Sequence, residues 1–200
     1  MPDWFVKGGI TMWPLFICSV AAVAIILERI WALRRQRVIC PTLAAEIERQ
    51  PRSSDQTDKV RAAAEKDRTV LGEMARVIFA HAWLPKNENV ETIQALSRQI
   101  IARLERGLTT LMLIVELGPL LGLLGSVSGM VRLFGDVARH GLSEPAMISQ
   151  GISEALIATF TGLSVAIPAL VAYMYLRRRI DTLALELERH VNELLSHLYR

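Results

Sequence analysis

Twenty-two consecutive residues, Ala155 to Leu176, carry no charge. A stretch this long and apolar reads as a membrane span. Lipid offers no water to the backbone, so every spanning segment must satisfy its own hydrogen bonds as a helix. Two more stretches share the pattern. Ile10 to Leu27 gives eighteen uncharged residues, about 27 Å of helix. Leu108 to Val131 is interrupted only by Glu116. Over the full 200 residues the chain is 52% hydrophobic with a mean hydropathy of +0.31. The charge is segregated: between the apolar stretches the chain is as charged as a soluble helical protein. The fold class implied is an all-α integral membrane protein with three spanning helices. Its parts are an N-terminal segment with the first span (1–33), a helical insertion (34–106), the second and third spans (107–176) and a C-terminal amphipathic helix (177–200).

The first span could also be read as a signal peptide, because Ala22-Val23-Ala24 has an A-x-A look and Cys18 invites a lipoprotein box. Apolar chain continues beyond Ala24, Ile17 is bulky where a lipobox needs a small residue, and the n-region is weak. An uncleaved anchor is therefore expected. Arginine sets the direction. Arg34, Arg35 and Arg37 follow the first span, Arg98, Arg103 and Arg106 precede the second, and Arg177, Arg178 and Arg179 follow the third. The other side has Lys7, Arg132 and Arg139. The positive-inside bias predicts an external N-terminus and a cytoplasmic C-terminus, with 132–149 as a short external connection. These arginines flank apolar segments and do not interleave with aromatics, so a nucleic-acid partner is not expected. Cys18 and Cys40 are expected to be free thiols.

Between the first two spans the chain reads as helical. Val60 to Trp83 is rich in Ala, Glu, Arg and Leu, and Pro51-Arg-Ser-Ser-Asp before it is a break. Leu84-Pro-Lys-Asn-Glu-Asn is a second break. Ile93, Leu96, Ile100 and Leu104 then recur at helical spacing and are expected to run unbroken into the second span. After the third span, Ile180, Leu183, Leu187, Val191, Leu194 and Leu198 make one apolar stripe, which predicts an amphipathic helix seeking partner helices.

Gly118, Gly122, Gly125 and Gly129 fall on one face of the second span. Gly151, Ala155, Ala158, Gly162, Ala166 and Ala169 lie largely on one face of the third. Such faces let membrane helices approach closely, which is how they gain packing energy in lipid. Beside them lie hydroxyls: Ser126 and Ser128, then Thr159, Thr161 and Ser164. A lone Ser or Thr in a membrane helix usually bonds back to its own helix carbonyl. Ser126 and Thr159, however, both lie about 27–30 Å from the arginine-flanked helix ends, at one level. In an oligomer with these helices inside, they would line a passage. Two carboxylates complete the set of candidate pathway residues. A charge at the bilayer centre costs at least about 2.5–3.5 kcal/mol, so Glu116 and Glu154 are not expected to face lipid. Glu154 sits at the external end of the third span, where an interfacial role is the plainer alternative. Glu116 fits either a vestibule or salt-bridging role or a place in the pathway.

Other chemistries find little support. No Gly-Lys pair follows a Gly-rich turn, so ATP-driven transport is not expected. His81, His140, His190 and His197 lie outside the spans, leaving no in-membrane base for a serine nucleophile. No His/Cys cluster has metal-ligand spacing, and neither an enzyme nor a cofactor is expected. A non-conducting scaffold remains the competing reading. An alternating-access transporter would need inverted repeats that three spans lack.

Leu120-Leu-Gly-Leu-Leu-Gly-Ser-Val-Ser-Gly-Met130, followed by Phe134, resembles the second-span motif of the ExbB/TolQ/MotA family. Gln150-Gly-Ile-Ser-Glu-Ala-Leu-Ile-Ala-Thr-Phe-Thr-Gly-Leu-Ser-Val-Ala-Ile-Pro168 is similar to the family's third span almost throughout. Trp13-Pro14, Cys18-Ser19 and Glu28-Arg29 look like its first. The resemblance covers about half the chain. It implies an inner-membrane stator subunit: a pentameric ring of this chain around an ExbD/TolR-like single-span partner that carries a membrane Asp. Proton flow would power a TonB- or TolA-type process. By motif, Ser126 matches the second-span threonine, Glu154 the third-span glutamate and Thr159 the third-span threonine, the family's pore positions. Three features depart from the pattern: Ser126 lacks the methyl group, Glu116 stands where an uncharged residue is usual, and Met174 replaces a common Asn. The insertion is also far shorter than the flagellar members', which argues against a flagellar stator.

Overall fold

The chain is helical throughout the residues described by a computed structural model, namely 9–49, 54–140 and 145–199. Its helices are α1 (Met12–Ala32), α2 (Arg35–Val38), α3 (Pro41–Glu48), α4 (Ser54–Lys66), α5 (Val70–Ala80), α6 (Lys86–Leu104), α7 (Leu108–His140) and α8 (Pro145–Leu198). Three of them, α1, α7 and α8, are long and apolar enough to cross a membrane. Pro119 and Pro168 lie inside α7 and α8. Each removes one backbone donor and so frees the carbonyl four residues earlier, at Val115 and Ser164. Cys18 and Cys40 are unbridged.

The chain divides into two compact units. One comprises Met1–Glu28 with Gly107–Tyr175, the other Arg29–Arg106 with Leu176–Arg200. In the first, the span unit, large apolar side chains point outward: Leu120, Leu123, Val127 and Phe160 are all more than half exposed. Such an apolar surface is at odds with water and suits lipid or other membrane helices. The connection expected over 132–149 is mostly helix. α7 continues to His140 because the stretch from Leu133 to Arg139 holds no proline and only the single Gly135, and α8 begins at Pro145, a residue preorganised for a first helical turn.

The second unit packs Leu43, Ile47, Leu71, Met74, Ile78 and Ile100 into a side-chain core. Its helices differ from expectation in four places. First, α2 and α3 were not anticipated; Pro41 opens α3 at its first position. Second, the helix expected over Val60–Trp83 is two helices, and the first begins earlier, at Ser54. Asp67 and Thr69 make the break: the Thr69 backbone N–H donates to Asp67 Oδ1 (2.9 Å) and its hydroxyl to Asp67 Oδ2 (2.6 Å). The same Thr69 hydroxyl accepts from the Gly72 N–H at the start of α5 (3.4 Å). Arg76 then donates to the carbonyls of Ala64 (2.7 Å) and Asp67, satisfying the end of α4. Gly72 permits this corner, because a Cβ there would stand 2.8 Å from the Asp67 carbonyl oxygen.

Third, the break at Leu84 is shorter than its composition implied. α6 starts at Lys86, and Asn89 is a buried helical residue whose amide donates to the Ile78 carbonyl (3.2 Å) and to the Tyr199 hydroxyl (2.8 Å). Fourth, α6 does not run into the second span. It ends at Leu104, followed by a turn whose Gly107 has φ of 87°, a conformation that side chains rarely adopt. The C-terminal stripe also has its partners within the chain. Ile180, Leu183, Leu187, Val191 and Leu194 are each at most 4% exposed inside the second unit, so the stripe by itself gives no reason for oligomerisation.

Candidate functional site

The site is built on the antiparallel pair formed by α7 and the first half of α8. Gly118, Gly122, Gly125 and Gly129 of α7 are all buried. A Cβ at Gly118 would lie 3.1 Å from the Gly162 carbonyl oxygen, and one at Gly122 would lie 3.0 Å from that of Ala158 and 3.2 Å from Thr159 Cα. Gly129 faces Ala155 and Gly151, Gly151 faces Leu133, and Gly162 meets the Gly118 carbonyl. Ala166 packs opposite Gly118. Backbone thus runs against backbone along this seam, at separations only glycine and alanine permit. The residues leading into the first span reach it too: Thr11, 6% exposed, sits 2.5 Å from where a Gly125 Cβ would stand.

The close seam brings the predicted hydroxyls together. Ser126 Oγ lies within hydrogen-bond reach of Thr159 Oγ1, and its one proton has the carbonyls of Ala155 (2.7 Å) and Gly122 (3.2 Å) as acceptors. Thr159 Oγ1 also donates to the Ala155 carbonyl (3.2 Å). Each hydroxyl thus has an acceptor in its own helix and another across the pair, with one proton apiece to share among them. Five residues before Thr159, Glu154 pairs with Arg132 of α7; the Glu154 side chain is 16% exposed and that of Arg132 54%. Gly9 closes over this ion pair. Its φ is 73°, and a Cβ there would fall onto Glu154 Oε1 and 2.9 Å from Arg132 Nη2. At this position backbone conformation and lack of space both demand glycine.

Two candidates stand apart from this group. Thr161 donates to its own helix at Ile157 (2.8 Å) and lines a separate apolar hollow of about 350 Å³ with Ile157, Phe160 and Ser164. Glu116 is exposed and makes no ion pair among the described residues. Sequence reasoning missed three neighbours of the site: Arg132, counted there only as a topology charge, and Gly9 and Thr11, whose role comes from tertiary approach. Arg132 did carry a signal. In an antiparallel pair, residues equidistant from the midpoint of the connection meet, and Arg132/Glu154, Ser126/Thr159, Gly122/Gly162 and Gly118/Ala166 all centre within a residue of 142.

Comparison with known proteins agrees with this architecture. The profile of the MotA/TolQ/ExbB proton channel family matches residues 54–189, so the likeness reaches through much of the insertion as well as the second and third spans. An ExbB-like biopolymer transport protein of Synechocystis sp. is 33% identical over 186 residues, covering 87% of this chain and 69% of its own length. The biopolymer transport protein exbB1 of Vibrio cholerae is 28% identical over 92% of this chain and 82% of its own length. The ExbB of Neisseria gonorrhoeae is 37% identical over a shorter region, 56% of this chain. With the glycine seam and paired hydroxyls of α7 and α8 inside the matched region, the chain belongs to the MotA/TolQ/ExbB proton channel family.

Proposed function

We propose that this chain is the proton-conducting ring subunit of an inner-membrane complex of the ExbB–ExbD or TolQ–TolR kind, driven by the proton motive force. The observation that carries the reading is the hydrogen bond between Ser126 and Thr159, made across two apolar helices one and a half turns from a largely buried carboxylate. Packing needs no such group: small residues alone close the rest of the seam, and ionisable groups in spans are costly. Glu154 would receive the proton at the external end, and the hydroxyl pair would pass a hydrogen bond inward. A single-span partner with a membrane Asp would take the proton and, once neutral, tolerate the apolar interior of a pentameric ring. Arg132, paired with Glu154, would guard this entry point. The names of the relatives, biopolymer transport proteins, support energised transport across the envelope as the output, through a TonB- or TolA-like protein.

The variants Glu154→Gln and Thr159→Val test this. Both should leave assembly and partner binding intact and abolish partner-dependent uptake or envelope integrity. Full activity in both, at normal expression, would reduce the chain to a scaffold. That second reading draws on the same geometry, because each hydroxyl is also satisfied by its own helix and Glu154 by Arg132. Orientation is tested separately. Reporters fused after Arg37 and after Arg200 should lie in the cytoplasm, and one at Gly141 outside; Gly141 inside would overturn the direction of the path. Assembly is tested by native mass spectrometry of the detergent-solubilised protein, where a monomer would exclude the ring.

A further inference from the structure

The second unit carries a side-chain cluster that proton conduction does not use. His190 and Glu193 project from one face of α8, three residues apart, toward Glu48 at the end of α3. The ligand atoms of the three lie within 4.8 Å of one another. His190 Nδ1 is 3.8 Å from Glu193 Oε2 and 4.0 Å from Glu48 Oε1, beyond hydrogen-bond reach of both. The His190 side chain is 3% exposed. Its Nδ1 and Glu193 Oε2 are both buried without a hydrogen-bond partner. Burying polar atoms unpaired is costly, and here two of them face the same point.

We propose that Glu48, His190 and Glu193 bind a divalent transition-metal ion of the Zn²⁺ type, His190 through Nδ1 and each glutamate through one oxygen. One imidazole with two carboxylates suits such an ion better than Ca²⁺ or Mg²⁺, which favour all-oxygen sites, or Cu⁺, which favours thiolate. Metal–ligand bonds of about 2.0–2.2 Å place the ligand atoms of a tetrahedral site about 3.3–3.5 Å apart. The observed 3.8 and 4.0 Å therefore need to close by roughly half an ångström, and the two glutamate oxygens, within 4.8 Å of each other, by up to about 1.5 Å, which are side-chain adjustments. Glu48 is half exposed, which leaves an entry path and room for a water as fourth ligand. Arg189 supports the arrangement. Its Nε lies 3.4 Å from Glu193 Oε1, leaving Oε2 to the ion, and its Nη2 lies 3.3 Å from Glu48 Oε1. Being 64% exposed, that side chain can yield Glu48 when the ion enters. The bound ion would clamp α3 to the C-terminal part of α8 and so stabilise the second unit.

The proposal is independent of the proton path and is tested on the full chain in detergent after removal of metals with a chelator. Zn²⁺ titrated by calorimetry should bind at one ion per chain, and Co²⁺ should give the visible absorption of a four- or five-coordinate site. His190→Gln should weaken Zn²⁺ by at least about 10–100-fold, the range that even outer-shell changes reach. Glu48→Gln, at a half-exposed position that folding tolerates, should also weaken it at least tenfold, whereas His197→Gln should leave it unchanged. A wild-type chain without stoichiometric binding would overturn the proposal. So would binding that survives both Glu48→Gln and Glu193→Gln, which would put the ion elsewhere.

Discussion

The two units solve opposite packing problems with the same backbone. In the second unit, Leu71, Met74, Ile78 and Ile100 are at most 2% exposed and charged groups form the outside. In the span unit the order is inverted: Leu123, Val127 and Phe160 face outward while Gly118, Gly122, Ala158 and Gly162 line the contact. Water rewards burying large apolar groups, at about 25 cal/mol per Å². Lipid offers no such reward, since its tails are as apolar as leucine, so helices there gain by bringing backbones close. The difference decides where chemistry can sit. A seam of glycine and alanine lets two hydroxyls on facing helices touch, which a leucine core would hold apart.

The sharpest way to break this comparison is to shrink an outward residue and an inward one. Ile78→Ala, in the core of the second unit, should cost about 2–5 kcal/mol. Leu123→Ala, on the outside of the span unit, should move the stability of the isolated chain by no more than about 0.5 kcal/mol. Denaturation followed by circular dichroism reads both, and equal costs would contradict the inversion. Next comes Gly162→Ala. A helical Gly→Ala change ordinarily stabilises by up to about 1 kcal/mol. Here the added Cβ meets the Gly118 carbonyl at 2.5 Å, so a loss of about 1–3 kcal/mol is expected. A gain in melting temperature would show that the seam is looser than described.

Two smaller effects sharpen the picture of the second unit. Thr69→Ala removes the cap of α5 and should cost about 1 kcal/mol, with protease cutting near 67–69 as the local readout. The ion pair of Arg35 and Glu186 should give the smallest effect, read against pH. The hydrogen bond from Arg35, followed by its charge, holds the Glu186 carboxyl below the usual carboxylate range. A lowered folded pKa contributes stability that is present above the ordinary value, about 4.3, and lost as pH falls through the folded value. Arg35→Gln should therefore lower stability slightly near neutrality, leave it unchanged at acid pH below the folded value, and so flatten the acid limb of the stability curve. An acid limb identical to wild type would remove the pair from the account.

The spans were legible because each is a long uncharged run whose physics has one solution, and the glycine face of α7 because four residues repeat at helical spacing. The level shared by Ser126 and Thr159 followed from counting along two helices of fixed rise. Gly9 and Thr11 were not legible, because they reach the seam by tertiary approach and belong to no periodic pattern. The break at Asp67-Arg-Thr69 was hidden for a different reason. Its residues are polar and unremarkable in composition, and only a side-chain geometry completed by Arg76 and a tight approach at Gly72 turns them into a corner. The end of α6 is the plainest lesson: the apolar rhythm of Ile93 to Leu104 suggested continuity, but the positive φ of Gly107 overrides it.

The hydroxyl pair has a property that appears only when its protons are counted. Ser126 and Thr159 own two hydroxyl protons between them, and the oxygens on offer are each other's and the Ala155 carbonyl, with Gly122 as a longer outlet. In one arrangement Thr159 donates to Ser126 and Ser126 to Ala155; in the other Ser126 donates to Thr159 and Thr159 to Ala155. Both arrangements use every proton and move no heavy atom. The pair is therefore a small reversible dipole inside an otherwise fixed seam. It can be flipped by two hydroxyl rotations, fast on the timescale of any helix motion, so its polarity can follow the charge beside it without disturbing the packing that holds it.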